Sequence, residues 1–220
     1  MLTKVQSFCL VDLDAVAITV EVDIARGLPS VAIVGLPDNA IKESKERVRA
    51  AIRNSGYTFP SQRITINLSP ANIKKEGALF DLPIALGILA SSGKITASSL
   101  SSYAFVGELS LDGKIQPVKG AFSIACAMAK ESPLGLVLPA ENAKEAALAE
   151  KGKIFPCQSL SEVVQFLQDS SLIEPQKNQP RNFNNQKSSY DIDFSEIKGQ
   201  AHVKRGLEVA AAGGHNVLML

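Results

Sequence analysis

Apolar and polar side chains alternate through the first part of the chain. Val16, Ile18, Val20, Val22 and Ile24 interleave with Ala17, Thr19, Glu21 and Asp23, the period of two that marks a half-buried strand. Leu2 to Leu10 predicts its antiparallel neighbour, with Asp12 and Asp14 near the turn, and Val31 to Val34 predicts a short strand after Gly27-Leu28-Pro29. The period then lengthens. Ile41, Val48 and Ile52 form the apolar stripe of a helix whose first turn holds Pro37 and Asp38 and which Gly56 stops.

Arg63 to Leu68 alternates again, and the loop 69–77 leads to an apolar helix from Asp81 to Ser92, with Asp81 as its cap and Pro83 in its first turn. Phe105 to Leu109 and Lys114 to Val118 predict a hairpin through Leu111-Asp112-Gly113. Helices at 121–130, 141–150 and 160–167 then alternate with strands at 136–138 and 153–155. This pattern predicts an α/β domain over residues 1–168. Residues 169–190 read as a polar linker, because seven of the seventeen residues 174–190 are Asn or Gln, too few apolar groups to offset the entropy of ordering them. From 191 a second domain starts, with a helix near 202–212 and a strand at 217–220.

Composition narrows the function classes. Residues 1–173 carry 17 basic and 17 acidic side chains and residues 174–220 carry six and five, so net charge argues for no particular partner. The longest apolar run, Leu82 to Ala90, is nine residues, about half a membrane span, and no secretory signal is legible; the expectation is a cytoplasmic protein. Cys9, Cys126 and Cys157 are odd in number and widely spaced, which reads as reduced thiols.

Few motifs rise above a structural explanation. Gly107 to Lys114 departs from a phosphate loop by one residue, lacks the hydroxyl, and lies across a predicted hairpin. His202 and His215 have no cysteine at ligand spacing, so no metal site is expected. Ser-x-x-Lys at Ser91…Lys94 and Ser195…Lys198 is a chance spacing in a chain rich in both residues. The helix from Lys42 to Arg53 carries five positive and two negative residues, and it reads either as a solvated face or as a contact to phosphate backbone. Lys74 and Lys75 would extend such a patch, with no aromatic residues interleaved for base stacking.

Gly107-Glu108-Leu109 with Gly113-Lys114 and Pro117, preceded by Lys74-Lys75-Glu76-Gly77, Asp81-Leu82-Pro83-Ile84-Ala85 and Gly35-Leu36-Pro37-Asp38, resembles the N-terminal domain of the Mg-chelatase-like AAA+ family, the group of ComM and YifB. Asp193 to Gln200 and Ala210 to Asn216 resemble the start of that family's AAA+ module. The resemblance implies a domain similar to the proteolytic domain of Lon and the C-terminal domain of RadA, within a homo-hexameric, ATP- and magnesium-dependent motor that drives DNA branch migration in natural transformation. It implies that Gly199 and Gln200 lie near the adenine of ATP in the full-length protein, and that the phosphate loop follows Leu220, leaving this stretch catalytically silent with no cofactor of its own. Aligned with Lon, Asp81 falls at or near the nucleophilic serine and Phe122 near the lysine, and neither side chain can serve a Ser/Lys dyad. The reading is an assembly and DNA-contact module, with Lys42, Lys45, Arg49, Arg53, Lys74 and Lys75 as the nucleic-acid residues. The rivals are a pure interaction domain, a residual peptidase and a chelatase subunit.

Overall fold

The computed structural model describes residues 2–131, 135–149, 152–177 and 193–219. The chain divides into two units, Met1–Gln179 and Pro180–Leu220.

In the first unit, β1 (Leu2–Val11) and β2 (Asp14–Ala25) pair antiparallel from Leu2↔Asp23 to Val11↔Asp14, as their alternation predicts. β3 (Ser30–Val34) leads through α1 (Asn39–Asn54) to β4 (Arg63–Ser69), which lies between β3, its parallel neighbour, and β2, its antiparallel one. α2 (Asp81–Ser91) and the single turn α3 (Ala97–Leu100) precede β5 (Tyr103–Phe105). A two-stranded hairpin of β6 (Glu108–Leu109) and β7 (Ile115–Gln116) follows, then α4 (Ala121–Glu131), β8 (Gly135–Pro139), α5 (Ala143–Ala146), β9 (Ile154–Cys157) and α6 (Leu160–Gln168). The main sheet has seven strands in the order β3-β4-β2-β1-β5-β8-β9. Its pairs are parallel except β1–β2 and β2–β4, so this is a mixed α/β fold with a mostly parallel sheet.

Strand register sorts the two faces. Val5, Val20, Val22, Ile64, Ile66 and Leu68 share one face, which α2 covers so closely that a Cβ on Gly87 would lie 2.5 Å from Val22 Cγ2. Every residue of α2 is buried, because α1 packs on its other side. α4 lies on the opposite face, where Gly120 meets Leu10. Away from α4 that face is polar: Lys4 pairs with Glu21 at 3.2 Å, and Asn67 donates to Glu21 at 2.9 Å. Tyr103, Phe105, Phe155 and Phe166 form an edge-on aromatic cluster at the β8–β9 end.

Four local expectations are corrected. Pro37 lies ahead of the cap of α1 and forms a parallel bridge with Lys75. The hairpin is shorter than its sequence pattern, because Gly107 leaves the main sheet to donate to Leu79 O and accept from Leu82 N–H. The helix expected at 141–150 is broken into 3₁₀ turns at Ala140–Asn142 and Ala147–Ala149 around α5, since Asn142 bonds both N–H and C=O of Val118 and so holds the chain off a continuous helix. In the second unit, α7 (Ala201–Gly213) matches its prediction, but 215–219 form no strand, as they have no ladder partner among the described residues.

The polar linker falls partly outside the described residues. Its described part includes a 3₁₀ turn at Ser170–Leu172, and Gln176 N–H donates to Ile154 O at 2.7 Å, so this stretch runs along the β9 edge. The three cysteines are free thiols, and burial raises the pKa of Cys9 and Cys157. Among the described residues no helix is long and apolar enough to cross a membrane.

Candidate functional site

α1 begins where Asp38 accepts the N–H of Ile41 at 2.8 Å, and it ends where Gly56 takes a left-handed conformation. Ile41, Ser44, Val48, Ala51 and Ile52 face the core. At about 100° per residue, Lys42, Lys45, Arg49 and Arg53 fall within an arc of about 80°. Lys42 and Arg53 are exposed, Lys45 and Arg49 half-buried, and none of the four makes an ion pair among the described residues. Arg49 rests on the ring of Phe59, 5.1 Å from its centroid, which fixes the stem of this cation at the surface. Phe59 itself is buried and offers no face for base stacking.

The other two lysines named for this patch behave differently. Lys74 is exposed but pairs with Glu76 at 2.6 Å, which neutralises it locally. Lys75 is fully buried: its ammonium donates to Gly35 O at 3.0 Å and to Pro70 O, and burial lowers its pKa. It holds a clasp and is corrected out of the basic surface. In that clasp Asp38 N–H donates to Lys75 O at 3.0 Å, Lys75 N–H to Leu36 O at 3.2 Å, and Gly77 N–H to Asp38 Oδ2 at 2.9 Å. The segments 35–38 and 74–77, both carriers of the family resemblance, are thus bound to each other, and Asp38 both caps α1 and anchors the loop.

Arg47 lies on the side of α1 opposite the basic stripe and reaches α2. Its Nε donates to Asp81 Oδ2 at 2.7 Å and a terminal nitrogen to Oδ1 at 3.1 Å, while Leu109 N–H donates to Oδ2 at 3.2 Å. Asp81 therefore does not cap its helix, as its residue type suggests; a 3₁₀ turn at Ala78–Phe80 precedes it, and its carboxylate joins α1, α2 and β6. Burial raises its pKa to about 6 against the pull of Arg47. No sequence signal identified Arg47, because its partner lies 34 positions away.

The position aligned with Lon's lysine holds a half-exposed Phe122, which lines a hollow of about 270 Å³ with Leu13, Ala15 and Cys126. Ser91 donates to Val22 O at 3.1 Å and shares a hydroxyl hydrogen bond with Thr3 at 2.9 Å in the core, a structural role. Gly107 to Lys114 forms the hairpin turn, with Gly113 N–H on Ser110 O. In the second unit Gly199 and Gln200 adopt left-handed conformations, φ 72° and 56°, immediately before α7. Among the described residues no group of three or more His, Cys, Asp or Glu is placed to hold a metal ion.

Two family models place this mixed α/β domain and the second unit in the Mg-chelatase subunit class. The family described as subunit ChlI of Mg-chelatase matches residues 20–142, and the magnesium chelatase, subunit ChlI family matches residues 193–220. The chain is 43% identical over 207 residues to the uncharacterized protein YifB of Salmonella typhimurium, covering 94% of this chain and 40% of that protein. It is 40% identical over 223 residues to competence protein ComM of Haemophilus influenzae, covering 100% of this chain and 43% of that protein. A Lon protease of Trichlorobacter lovleyi is 24% identical over 157 residues, covering 66% of this chain and 19% of that enzyme. The chain belongs to the Mg-chelatase-like AAA+ family, in the group of ComM and YifB, and spans 40–43% of the length of these two relatives.

Proposed function

We propose that the first unit is the DNA-contact and assembly module of a ComM-type AAA+ ATPase, whose full-length form is a homo-hexamer that uses ATP and magnesium to drive branch migration of DNA in natural transformation. The observation that supports the contact role is the α1 stripe: four cations on one side of one helix, with exposed Glu46 at its margin and no ion pair to any of the four among the described residues. Such an array meets phosphates and is blind to sequence, and the buried Phe59 beside it offers no face to a base. Gly199 and Gln200 are assigned to the adenine side of the nucleotide site in the full-length protein.

The test is the full-length protein with Lys42→Glu, Lys45→Glu, Arg49→Glu and Arg53→Glu together. ATP hydrolysis without DNA should persist while strand exchange on branched DNA is lost. Unchanged strand exchange would refute the contact role, and an unaltered hexamer after deletion of residues 1–168 would refute the assembly role.

A further inference from the structure

We propose that the hollow where β1 and β5 part takes a lysine or arginine side chain of an extended polypeptide, whose backbone runs beside β1. The parallel pairing of these two strands is held at Gln6↔Ala104 and goes no further. Beyond Phe105, Val106 N–H still donates to Val137 O in β8 at 3.1 Å, but Gly107 turns out of the sheet to Leu79 and Leu82. Continued, the β1–β5 register would set Glu108 beside Leu10. Instead a hollow of about 410 Å³ opens between Leu10, Leu79, Glu108, Pro117 and Val118. The wall at 117–120 is seated on β1, since a Cβ on Gly120 would lie 2.5 Å from Leu10 Cδ1. A second hollow, of about 480 Å³, shares Leu10 and Glu76 with the first, so the recess continues past Val11. Along it the backbone of residues 8–11 has no hydrogen-bond partner other than β2 among the described residues.

The lining chooses the occupant. Leu10, Leu79, Pro117 and Val118 offer hydrocarbon, and Glu108 is the half-buried acid among them. Glu108 makes no hydrogen bond or ion pair among the described residues; Arg47 and Asp81 feel its charge from beyond bonding distance. The other charges leave it decisive. Lys74 matches Glu76 at 2.6 Å, while Asp12 and Lys119 lie exposed at the two rims with opposite signs. A half-buried carboxylate within apolar walls fits a side chain that has a hydrocarbon stem and a cationic end, and it repels an acidic one. The open side of β1 meanwhile offers main-chain groups to an extended segment, which binds by strand addition and places alternate side chains in the recess. None of these residues belongs to the α1 stripe, so the inference stands apart from the DNA reading.

The probe is a labelled peptide of about seven residues, alternating valine and threonine around a central arginine, followed by fluorescence anisotropy on the 220-residue chain. Norleucine or glutamate replaces the arginine in two control peptides. The arginine peptide should bind about tenfold more tightly than the norleucine peptide, the value of one charge-assisted hydrogen bond, and the glutamate peptide should bind least. Saturation should slow amide hydrogen exchange within residues 8–11. Glu108→Gln should weaken the arginine peptide about tenfold and leave the norleucine peptide unchanged, a contrast that a merely structural role of Glu108 does not produce. Lys119→Glu, a change at an exposed rim, should tighten the arginine peptide about threefold. Absence of binding, equal affinity for the three peptides, a Glu108→Gln loss shared by the arginine and norleucine peptides, or saturation without exchange protection in residues 8–11 would overturn the inference. The peptide comparison and the exchange measurement need no variant to fold.

Discussion

Replacing Arg47 by Met would strip the counter-cation from a carboxylate that is fully buried, and the cost should depend on pH in a defined direction. In the wild type, burial raises the pKa of Asp81 to about 6, so its folded value exceeds its unfolded one. Its contribution to stability is then fully present below about pH 4 and lost as pH rises through 6, about 3 kcal/mol in all at ~1.4 kcal/mol per pKa unit. Arg47 limits that loss by two hydrogen bonds at 2.7 and 3.1 Å. Without it the carboxylate retains the Leu109 N–H at 3.2 Å, and its pKa rises further. Breaking a buried pair from one side costs about 3–5 kcal/mol, and the partial exposure of Arg47 places this case at the low end, about 3 kcal/mol at pH 8. At pH 4 the carboxyl is neutral in both proteins and the difference should shrink to about 1–2 kcal/mol, the value of the Arg47 hydrogen bonds to an uncharged partner. Urea unfolding of both proteins at pH 4, 6 and 8, followed by tryptophan-free probes such as far-UV circular dichroism, measures this. Adding Asp81→Asn to Arg47→Met should recover much of the loss at pH 8, because the unpaired charge is gone. A destabilisation below about 0.5 kcal/mol at pH 8, or one independent of pH, would show that Arg47 does not compensate a buried charge on Asp81.

Three further outcomes follow from the same geometry. Lys75→Met should cost about 2 kcal/mol at pH 7 by leaving Gly35 O and Pro70 O unpaired, while the affinity of the folded variant for DNA stays that of wild type; urea unfolding and anisotropy check the two halves. Asp38→Ala should cost about 2 kcal/mol, since it orphans the N–H groups of both Ile41 and Gly77, and amide exchange should accelerate at these two positions. Gly87→Ala should destabilise by about 1–3 kcal/mol, because its Cβ would lie 2.5 Å from Val22 Cγ2, as thermal unfolding would report.

What was legible in the sequence is what depends on neighbours in the chain. The β1–β2 pairing, the α1 stripe, the Gly56 stop and the α7 span all follow from periodicity and local stereochemistry. Asp81 and Lys75 show where that reasoning stops. An aspartate at a helix start reads as a cap and a lysine in a loop reads as surface, but here each finds its partner far along the chain: Asp81 in Arg47 and Lys75 in Gly35 O. The helix expected at 141–150 fails for the same reason, since Asn142 is claimed by Val118, 24 positions earlier. Within the candidate site, the four residues on one helix stayed together as a surface. The two taken from a loop did not, one being buried and the other paired.

Contact of Lys42, Lys45, Arg49 and Arg53 with phosphates is read out by the salt dependence of DNA binding by the 220-residue chain. Four phosphate contacts predict that log Kobs falls against log salt with a slope of about −3 to −4 on duplex DNA, unchanged by base sequence, and that reversing all four charges abolishes binding at low salt. No binding at low salt, or a slope unaltered by the reversal, would show that these four cations do not meet phosphates.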